Sequence, residues 1–403
     1  MSAIAPSTGG YACRGGPRHE PPQLQHCASC GPPGMPIDTS LLMKHVVYSP
    51  DIERLQEDEA RLTAEIVEQM AAGNRCTFER HRHAIRDAHA KSHAVLKGEL
   101  VVHDDLEPEL RQGLFAKPGR YDVVARLSSA PSDIHSDRIP APRGFAIKVI
   151  GVQGERLSPD IGGNNQDFLM VNFPVLAFGT IAKYKAMLSL LEVNAHAPDA
   201  FQRLVAAAAR GTKDAVEAFG GTAGATLEAL ARDNHHPLGE SYHTQGALRF
   251  GDYVAKLAIT PASQNVRALT GQPFADVDFS TLRDGIAQHF ARAGAEYEVS
   301  AQLCTDLVSM PIEDAAVLWK EEQSPHRRVA TLRFAPQPTY SPQRQVYGDD
   351  VLSFNPWNAI TAHRPLGGIM RIRRAAYERS TSFRHVMNAR ERVEPAHIVD
   401  IPD

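Results

Sequence analysis

The sequence predicts an α+β fold in which eight antiparallel strands close into a barrel with attached helices. Two groups of four short strand-like segments indicate the sheet, and an alanine-rich helical pattern over residues 181–233 separates the two groups. Eight strands are enough to close a barrel around side chains or around one ligand. An arginine-rich helical segment near the C-terminus completes the pattern.

The strand-like segments are short runs of apolar and β-branched residues, separated by Gly, Pro, Asp and Ser. They are residues 94–103, 121–128, 144–152 and 167–172 in the first group, and 247–250, 253–260, 297–303 and 329–335 in the second. Four strands within residues 94–172 favour antiparallel pairing. Ahead of them, apolar residues recur at helical spacing from Ile52 to Met70 and predict an amphipathic helix that ends at Gly73. Residues 369–388 form the predicted C-terminal helix.

Composition excludes several classes of function. The chain has 403 residues, and its 43 basic and 47 acidic side chains give a net charge of -4, which is too even for a nucleic-acid-binding surface. No run approaches the roughly 20 apolar residues of a membrane-spanning helix, and the first thirty residues do not resemble a secretory signal. These features indicate a soluble cytoplasmic protein with no membrane span and no nucleic-acid partner.

Residues 1–45 are predicted to be a flexible tail, because Gly, Pro and Ser are frequent there. Within this tail, Cys27 and Cys30 could instead bind zinc or form a redox pair, although no second pair stands at metal-ligand spacing. The five cysteines do not form a disulfide framework typical of small secreted proteins, so reduced thiols are expected.

The C-terminal helix carries Arg373, Tyr377 and Arg384, whose offsets of four and seven place them on one stripe. A neighbouring cation stabilises phenolate over phenol, and ferric iron prefers an anionic oxygen from a tyrosine ligand. The alternative is a solvated basic face with one amphipathic tyrosine.

A second candidate group is His89, in the run Arg86-Asp87-Ala88-His89-Ala90-Lys91. Histidine can move a proton at neutral pH, and an arginine three residues away can hold an anionic cofactor without titrating. With 18 histidines in the chain, a structural or exposed role for a single one is the alternative.

Further motifs connect these two candidates. Arg126-Leu127-Ser128 is followed by Ala141-Pro142-Arg143-Gly144-Phe145-Ala146, and then by Gly163-Asn164-Asn165. Two more motifs flank them: Arg86-x-x-His89-Ala90-Lys91 precedes them, and Arg373-x-x-x-Tyr377 with Arg384 follows near the C-terminus. All of these motifs occur in the order of the catalase superfamily motifs. The chain resembles this superfamily over roughly residues 75–388, as a compact member expected to lack the flavodoxin-like terminal domain.

The resemblance implies a catalase-type barrel with haem bound between the barrel and the C-terminal helix, in one domain over residues 46–403. It implies ferric haem as cofactor and assigns the following roles. Tyr377 is the iron ligand, supported by Arg373. His89 is the distal acid-base group, oriented by Ser128, and Asn164 is the second polar group over the iron. The arginines that face the haem propionates are Arg86, Arg126 and Arg384, and Phe178 stacks on the haem if a one-residue gap is allowed.

The chain also departs from the superfamily pattern. Ala141 replaces the aspartate associated with the peroxide channel, and Ala88 replaces a larger residue beside the distal histidine. Efficient disproportionation of peroxide is therefore not expected. Ser92-His93 replaces a glycine-rich run, which makes His93 a rival distal group, although Arg86 and Lys91 fix the alignment on His89.

The resulting hypothesis is a haem-dependent catalase or peroxidase. Its substrate would be hydrogen peroxide or an organic hydroperoxide, with an unidentified small organic electron donor, and a homo-oligomer is possible. Two alternatives are a hydroperoxide rearrangement of the allene oxide synthase type and a non-catalytic haem carrier or sensor. Ala88 disfavours the first, since that branch has a threonine there. The presence of His89, Ser128 and Asn164 disfavours the second, because a carrier needs no proton shuttle.

Overall fold

The sheet of the computed structural model contains nine antiparallel strands among the described residues. They are β1 (Lys91–Val102), β2 (Gly119–Ser129), β3 (Arg143–Val149), β4 (Gln166–Val171), β5 (Tyr242–His243), β6 (Leu248–Phe250), β7 (Tyr253–Pro261), β8 (Ala295–Leu303) and β9 (Arg327–Phe334). Eight of them close a barrel in the order β1-β2-β3-β4-β5-β7-β8-β9, with β9 paired to β1, and β6 adds to β7 outside the ring. The predicted eight-stranded antiparallel barrel is confirmed.

One strand of the ring differs from the sequence prediction. The barrel is closed by β5, where His243 pairs with Val171 of β4 and with Ala258 of β7. The predicted segment 247–250 is the additional strand β6, which pairs with β7 alone within the sheet. A two-residue strand is too short to show alternation of apolar and polar residues, so β5 gave no signal in the sequence.

Helices pack around the outside of the barrel. They are α1 (Glu59–His81), α2 (Ile181–Val193), α3 (Gln264–Arg267), α4 (Thr281–Phe290), α5 (Pro342–Val346) and α6 (Gly368–Met387). The predicted end of the first helix at Gly73 is wrong, because α1 continues for two more turns to a left-handed cap at Arg82. An interior glycine costs only about 1 kcal/mol relative to alanine, and packing of the last turns, such as Phe78 against Phe383 of α6, outweighs that cost.

The barrel interior is filled by side chains. Phe145 lies at its centre, with its ring edge-on to Tyr242 and Tyr297 at centroid distances of 5.3 and 5.4 Å. The two buried phenols donate hydrogen bonds to Pro237 O at 2.8 Å and Leu238 O at 2.9 Å, so their polar groups are satisfied. An eight-stranded barrel can enclose either side chains or one small ligand, and this barrel encloses side chains. A ligand must therefore bind outside the barrel.

The structure describes residues 45–130, 132–161, 163–176, 178–193 and 235–403. These described residues belong to one compact unit. The predictions for Cys27 and Cys30 in the tail, and for the helical pattern beyond residue 193, fall outside the described residues. Within them, no helix combines the length and the apolar character needed to cross a bilayer.

Candidate functional site

The outer face of β2, β3 and β4 forms one wall of a cavity. Cross-strand partners place Ser128, Gly144 and Val171 on one rung of the sheet, and Arg126, Ala146 and Leu169 on the next rung of the same face. The residues between these rungs, such as Phe145 and Met170, point into the barrel core. On these two rungs β3 contributes only glycine and alanine, so the middle of the wall carries no large side chain of its own.

Helix α6 forms the opposite wall. Its residues Arg373, Tyr377, Ser380, Thr381 and Arg384 line the cavity. The remaining lining residues come from the segment before β1 and from β2, β3, β4 and Phe354: Arg86, Asp87, Ala88, His89, Arg126, Ser128, Gly144, Phe145, Ala146, Leu169, Met170 and Val171. The two candidate groups of the sequence, Tyr377 and His89, thus meet in one cavity.

His89 lies in the turn that leads into β1, with a φ of 53°. A left-handed conformation is uncommon for a non-glycine residue and persists only where the surroundings hold it. Here Arg126 holds the turn by donating from Nη1 to His89 O at 3.0 Å and from Nη2 to Ala90 O at 3.3 Å. Ser128 Oγ lies 3.4 Å from His89 Nδ1, which leaves Nε2 as the ring nitrogen available for a ligand.

The electrostatic surroundings keep the His89 ring neutral. Burial, followed by the positive charges of Arg126, Arg373 and Arg143, lowers the pKa of His89 to about 3. A neutral imidazole can accept a proton, so His89 is available as a base at physiological pH.

Gly144 provides the space for the His89 ring. A Cβ atom at this position would lie 2.6 Å from His89 Nδ1 and 2.8 Å from Ser128 Oγ. We expect Gly144→Ala to displace His89 and to slow any reaction in this cavity that uses its imidazole by about 10-fold or more, since small misplacements of catalytic groups have effects of this size. Stopped-flow spectra would measure this rate.

Gly73→Ala is the matched control, because its Cβ would meet no atom within 4 Å on the surface of α1. This control should leave the rate unchanged and stabilise the protein slightly. Equal rates for Gly144→Ala and the parent would show that the position of His89 does not depend on Gly144.

The arginine and tyrosine side chains of α6 interact directly. Arg373 Nη2 donates to Tyr377 Oη at 2.9 Å, and its guanidinium carbon lies 5.1 Å from the centre of the Tyr377 ring. This hydrogen bond fixes the position of the Tyr377 phenol oxygen. The stripe predicted from the helical spacing therefore faces the cavity rather than solvent.

Three buried arginines converge at one end of the cavity. Arg86 donates from Nη2 to Gly348 O and Leu352 O, both at 2.7 Å, and Arg384 donates to Ser353 Oγ at 2.8 Å. Arg86 and Arg126 each form an ion pair with Asp349 Oδ1 at 3.3 Å. Burial lowers the pKa of all three guanidinium groups, and mutual repulsion adds to the effect for Arg86 and Arg384.

Two atoms of this cluster lack partners. Arg126 Nε and Arg384 Nε are buried, and neither forms a hydrogen bond within the described part of the chain. A buried unpaired donor is costly, so this end of the cavity is suited to an anionic ligand that would accept from it.

The fold matches solved structures of catalases. No family model and no curated protein matches the sequence. A fungal catalase aligns with a TM-score of 0.55 and 16% identity over 87% of this chain and 66% of its own length. Catalase A from Saccharomyces cerevisiae aligns with a TM-score of 0.54 and 16% identity over 88% of this chain and 71% of its own length. A bacterial catalase aligns with a TM-score of 0.54 and 14% identity over 87% of this chain and 66% of its own length. The chain has a catalase-type fold. It spans about two thirds of the length of these catalases.

Within this catalase-type fold, Asn164 is not brought to the cavity. Its side chain is exposed, and its backbone oxygen accepts from Val152 N at 2.6 Å in the loop before β4. The reason is strand register, because the β4 residue opposite Gly144 is Val171. The long loop between β3 and β4 hides this register from the sequence, and the Gly-Asn-Asn motif pointed to the loop instead.

Phe178 also lies outside the cavity lining. The residues around it pair with another part of the catalase-type fold, where Leu176 N donates to Ala315 O and Ala315 N donates to Gly179 O, both at 3.0 Å. The structure therefore does not support the one-residue gap that placed Phe178 on the haem.

The rival histidine, His93, is buried behind the cavity wall. It lies at a bulge of β1, between the paired residues Ser92 and Ala94, with Nε2 2.6 Å from Ser129 Oγ. It does not line the cavity, and its residue is 0% exposed. Of the two histidines, His89 is the one that lines the cavity.

Two residues that the sequence did not single out lie close to the candidate ligand Tyr377. Asp87 lines the cavity, where burial raises its pKa and a hydrogen bond with Ser380 of α6 opposes the shift. Burial, together with nearby Asp87 and Tyr377, raises the pKa of Tyr184 in α2 to about 12. Neither residue belongs to a motif, so only the packing of α2 and α6 reveals them.

Proposed function

We propose that this chain is a haem-dependent oxidoreductase of the catalase or peroxidase type that processes peroxide. The observation that carries the proposal is the meeting of Tyr377 and Arg373 on α6 with His89 and Ser128 on the barrel, in one cavity that ends in three buried arginines. The catalase-type fold supports it.

The residues present fit a haem group. Arg126 Nε and Arg384 Nε are buried donors without partners, as expected where carboxylates of a ligand would accept. Gly144 lets the His89 ring lie close to the sheet, and the small side chain of Ala146 on the next rung leaves room for a planar group. Tyr377 would hold the iron, with Arg373 stabilising the phenolate, and Arg86, Arg126 and Arg384 would hold the propionates.

When bound, haem supplies the iron that accepts peroxide oxygen and carries oxidising equivalents. His89 accepts a proton from the peroxide at Nε2, because Ser128 Oγ occupies the other ring nitrogen. Returning this proton to the oxygen that leaves allows it to depart as water, or as an alcohol from an organic hydroperoxide. Arg126 keeps the turn in the conformation that places His89 over the cavity.

The test is the absorption spectrum of the purified protein, before and after addition of hydrogen peroxide or an organic hydroperoxide. We expect a Soret band that either peroxide perturbs, and peroxide-dependent oxidation of a small phenol. Protein that takes up no haem would contradict the proposal. A haem protein whose spectrum neither peroxide changes would be a carrier, and conversion of a fatty-acid hydroperoxide without a donor would identify a rearrangement enzyme.

A further inference from the structure

The rung of the sheet nearest to His89 ends in an apolar side chain. Ser128, Gly144 and Val171 are cross-strand partners, and the His89 ring lies against Gly144. Val171 faces the cavity because Met170, its neighbour in β4, points into the barrel core. The isopropyl group of Val171 thus lies on the cavity side of the sheet, one strand away from Gly144 and the His89 ring.

The polar groups of this wall that contact the His89 turn already have partners, whereas Arg126 Nε has none among the described residues and belongs to the end of the cavity that is suited to an anionic ligand. Ser128 Oγ is paired with His89 Nδ1, and the two terminal nitrogens of Arg126 donate to His89 O and Ala90 O. His89 Nε2 remains as the hydrogen-bonding atom that can reach a small ligand beside this rung. Apolar side chains contribute to the lining of the same cavity: Ala88, Ala146, Leu169, Val171 and Phe354.

A wall of this kind is expected to bind hydrogen peroxide and organic hydroperoxides with different affinity. Hydrogen peroxide has two hydroxyl groups. At this rung the free hydrogen-bonding partner is His89 Nε2, so one of the two hydroxyl groups loses its hydrogen bond to water without a replacement. An organic hydroperoxide has one hydroxyl group for His89, and its organic substituent gains by leaving water. The gain corresponds to about fourfold in affinity for each buried methylene group.

We infer that Val171 makes this site select hydroperoxides with an apolar substituent over hydrogen peroxide. The inference rests on the proposed function and names its substrate class. Ala88 contributes to the same selection, because a small side chain beside His89 leaves room for the substituent.

The first experiment compares kcat/KM for cumene hydroperoxide and hydrogen peroxide in the parent and in Val171→Asn. We expect the parent to favour cumene hydroperoxide by about 10-fold or more, and Val171→Asn to shift the ratio toward hydrogen peroxide by about 10-fold, the effect of one added hydrogen bond. Val171→Thr keeps the shape of the side chain and should shift the ratio in the same direction if the asparagine variant does not fold.

Val399→Asn is the matched control, since Val399 is 80% exposed and lies outside the cavity. It should keep the ratio of the parent. A parent that prefers hydrogen peroxide, or a ratio that neither variant at Val171 changes, would overturn the inference.

The second experiment measures binding without turnover. Dissociation constants of ethanol, 1-butanol and 1-hexanol are measured by calorimetry with the protein as purified. We expect affinity to rise about fourfold for each added methylene, and Val171→Asn to weaken the binding of 1-hexanol. Affinities that do not depend on chain length would overturn the inference. If neither peroxide reacts but the alcohols follow this series, the proposed function fails and the apolar character of the site stands.

Discussion

Tyr377→Phe is expected to remove haem from the purified protein or to change its absorption spectrum. The phenol oxygen is the proposed iron ligand, and phenylalanine keeps the ring while it removes this oxygen. Loss of an outer partner of a metal ligand costs about 10- to 100-fold in affinity, so loss of the ligand itself should cost at least about 100-fold. Titration of haem into the purified proteins, followed at the Soret band, measures this change.

Tyr121→Phe is the matched control, because Tyr121 lies on β2 away from the cavity lining. This variant should bind haem as the parent does. An unchanged spectrum and unchanged affinity in Tyr377→Phe would eliminate Tyr377 as the ligand, whatever the protein does with peroxide.

His89→Ala is expected to slow the reaction with peroxide by at least about 100-fold, the usual scale for loss of a general acid-base group. Haem should stay bound, because Tyr377 and the three arginines do not depend on the imidazole. His103→Ala is the control, since His103 at the end of β1 contacts Thr331 Oγ1 at 2.9 Å and does not line the cavity. If His89→Ala reacts at the rate of the parent, His89 is not the acid-base group; if, in addition, neither peroxide changes the spectrum of the parent, a haem carrier becomes the better description.

The pH dependence of the parent provides a second readout of His89. Its base form exists above its pKa, and burial with the nearby arginines lowers that pKa to about 3. The rate should therefore remain flat from about pH 8 down to about pH 5, where an ordinary histidine would already be mostly protonated. A rate that falls by half near pH 6.5 would contradict a buried, neutral His89.

The sequence was most informative where a residue pattern repeats locally. Short runs of apolar and β-branched residues between turn-forming residues predicted seven of the eight barrel strands, and helical spacing placed Arg373, Tyr377 and Arg384 on one face of α6. The sequence contained no indication of β5, because a strand of two residues is too short to show a repeating pattern. It also ended α1 at Gly73, because propensity does not include the packing of Phe78 against α6.

By itself, the sequence determined the barrel, the stripe of α6 and the candidates His89 and Tyr377, because these depend on local periodicity and on ordered motifs. Only the tertiary structure decided that side chains fill the barrel, so that the cavity lies outside it. It also decided that Val171, rather than Asn164, lies opposite Gly144 and lines the cavity that contains His89. The physical reason is that antiparallel register and the convergence of distant segments depend on pairing across the whole sheet, which no local pattern specifies.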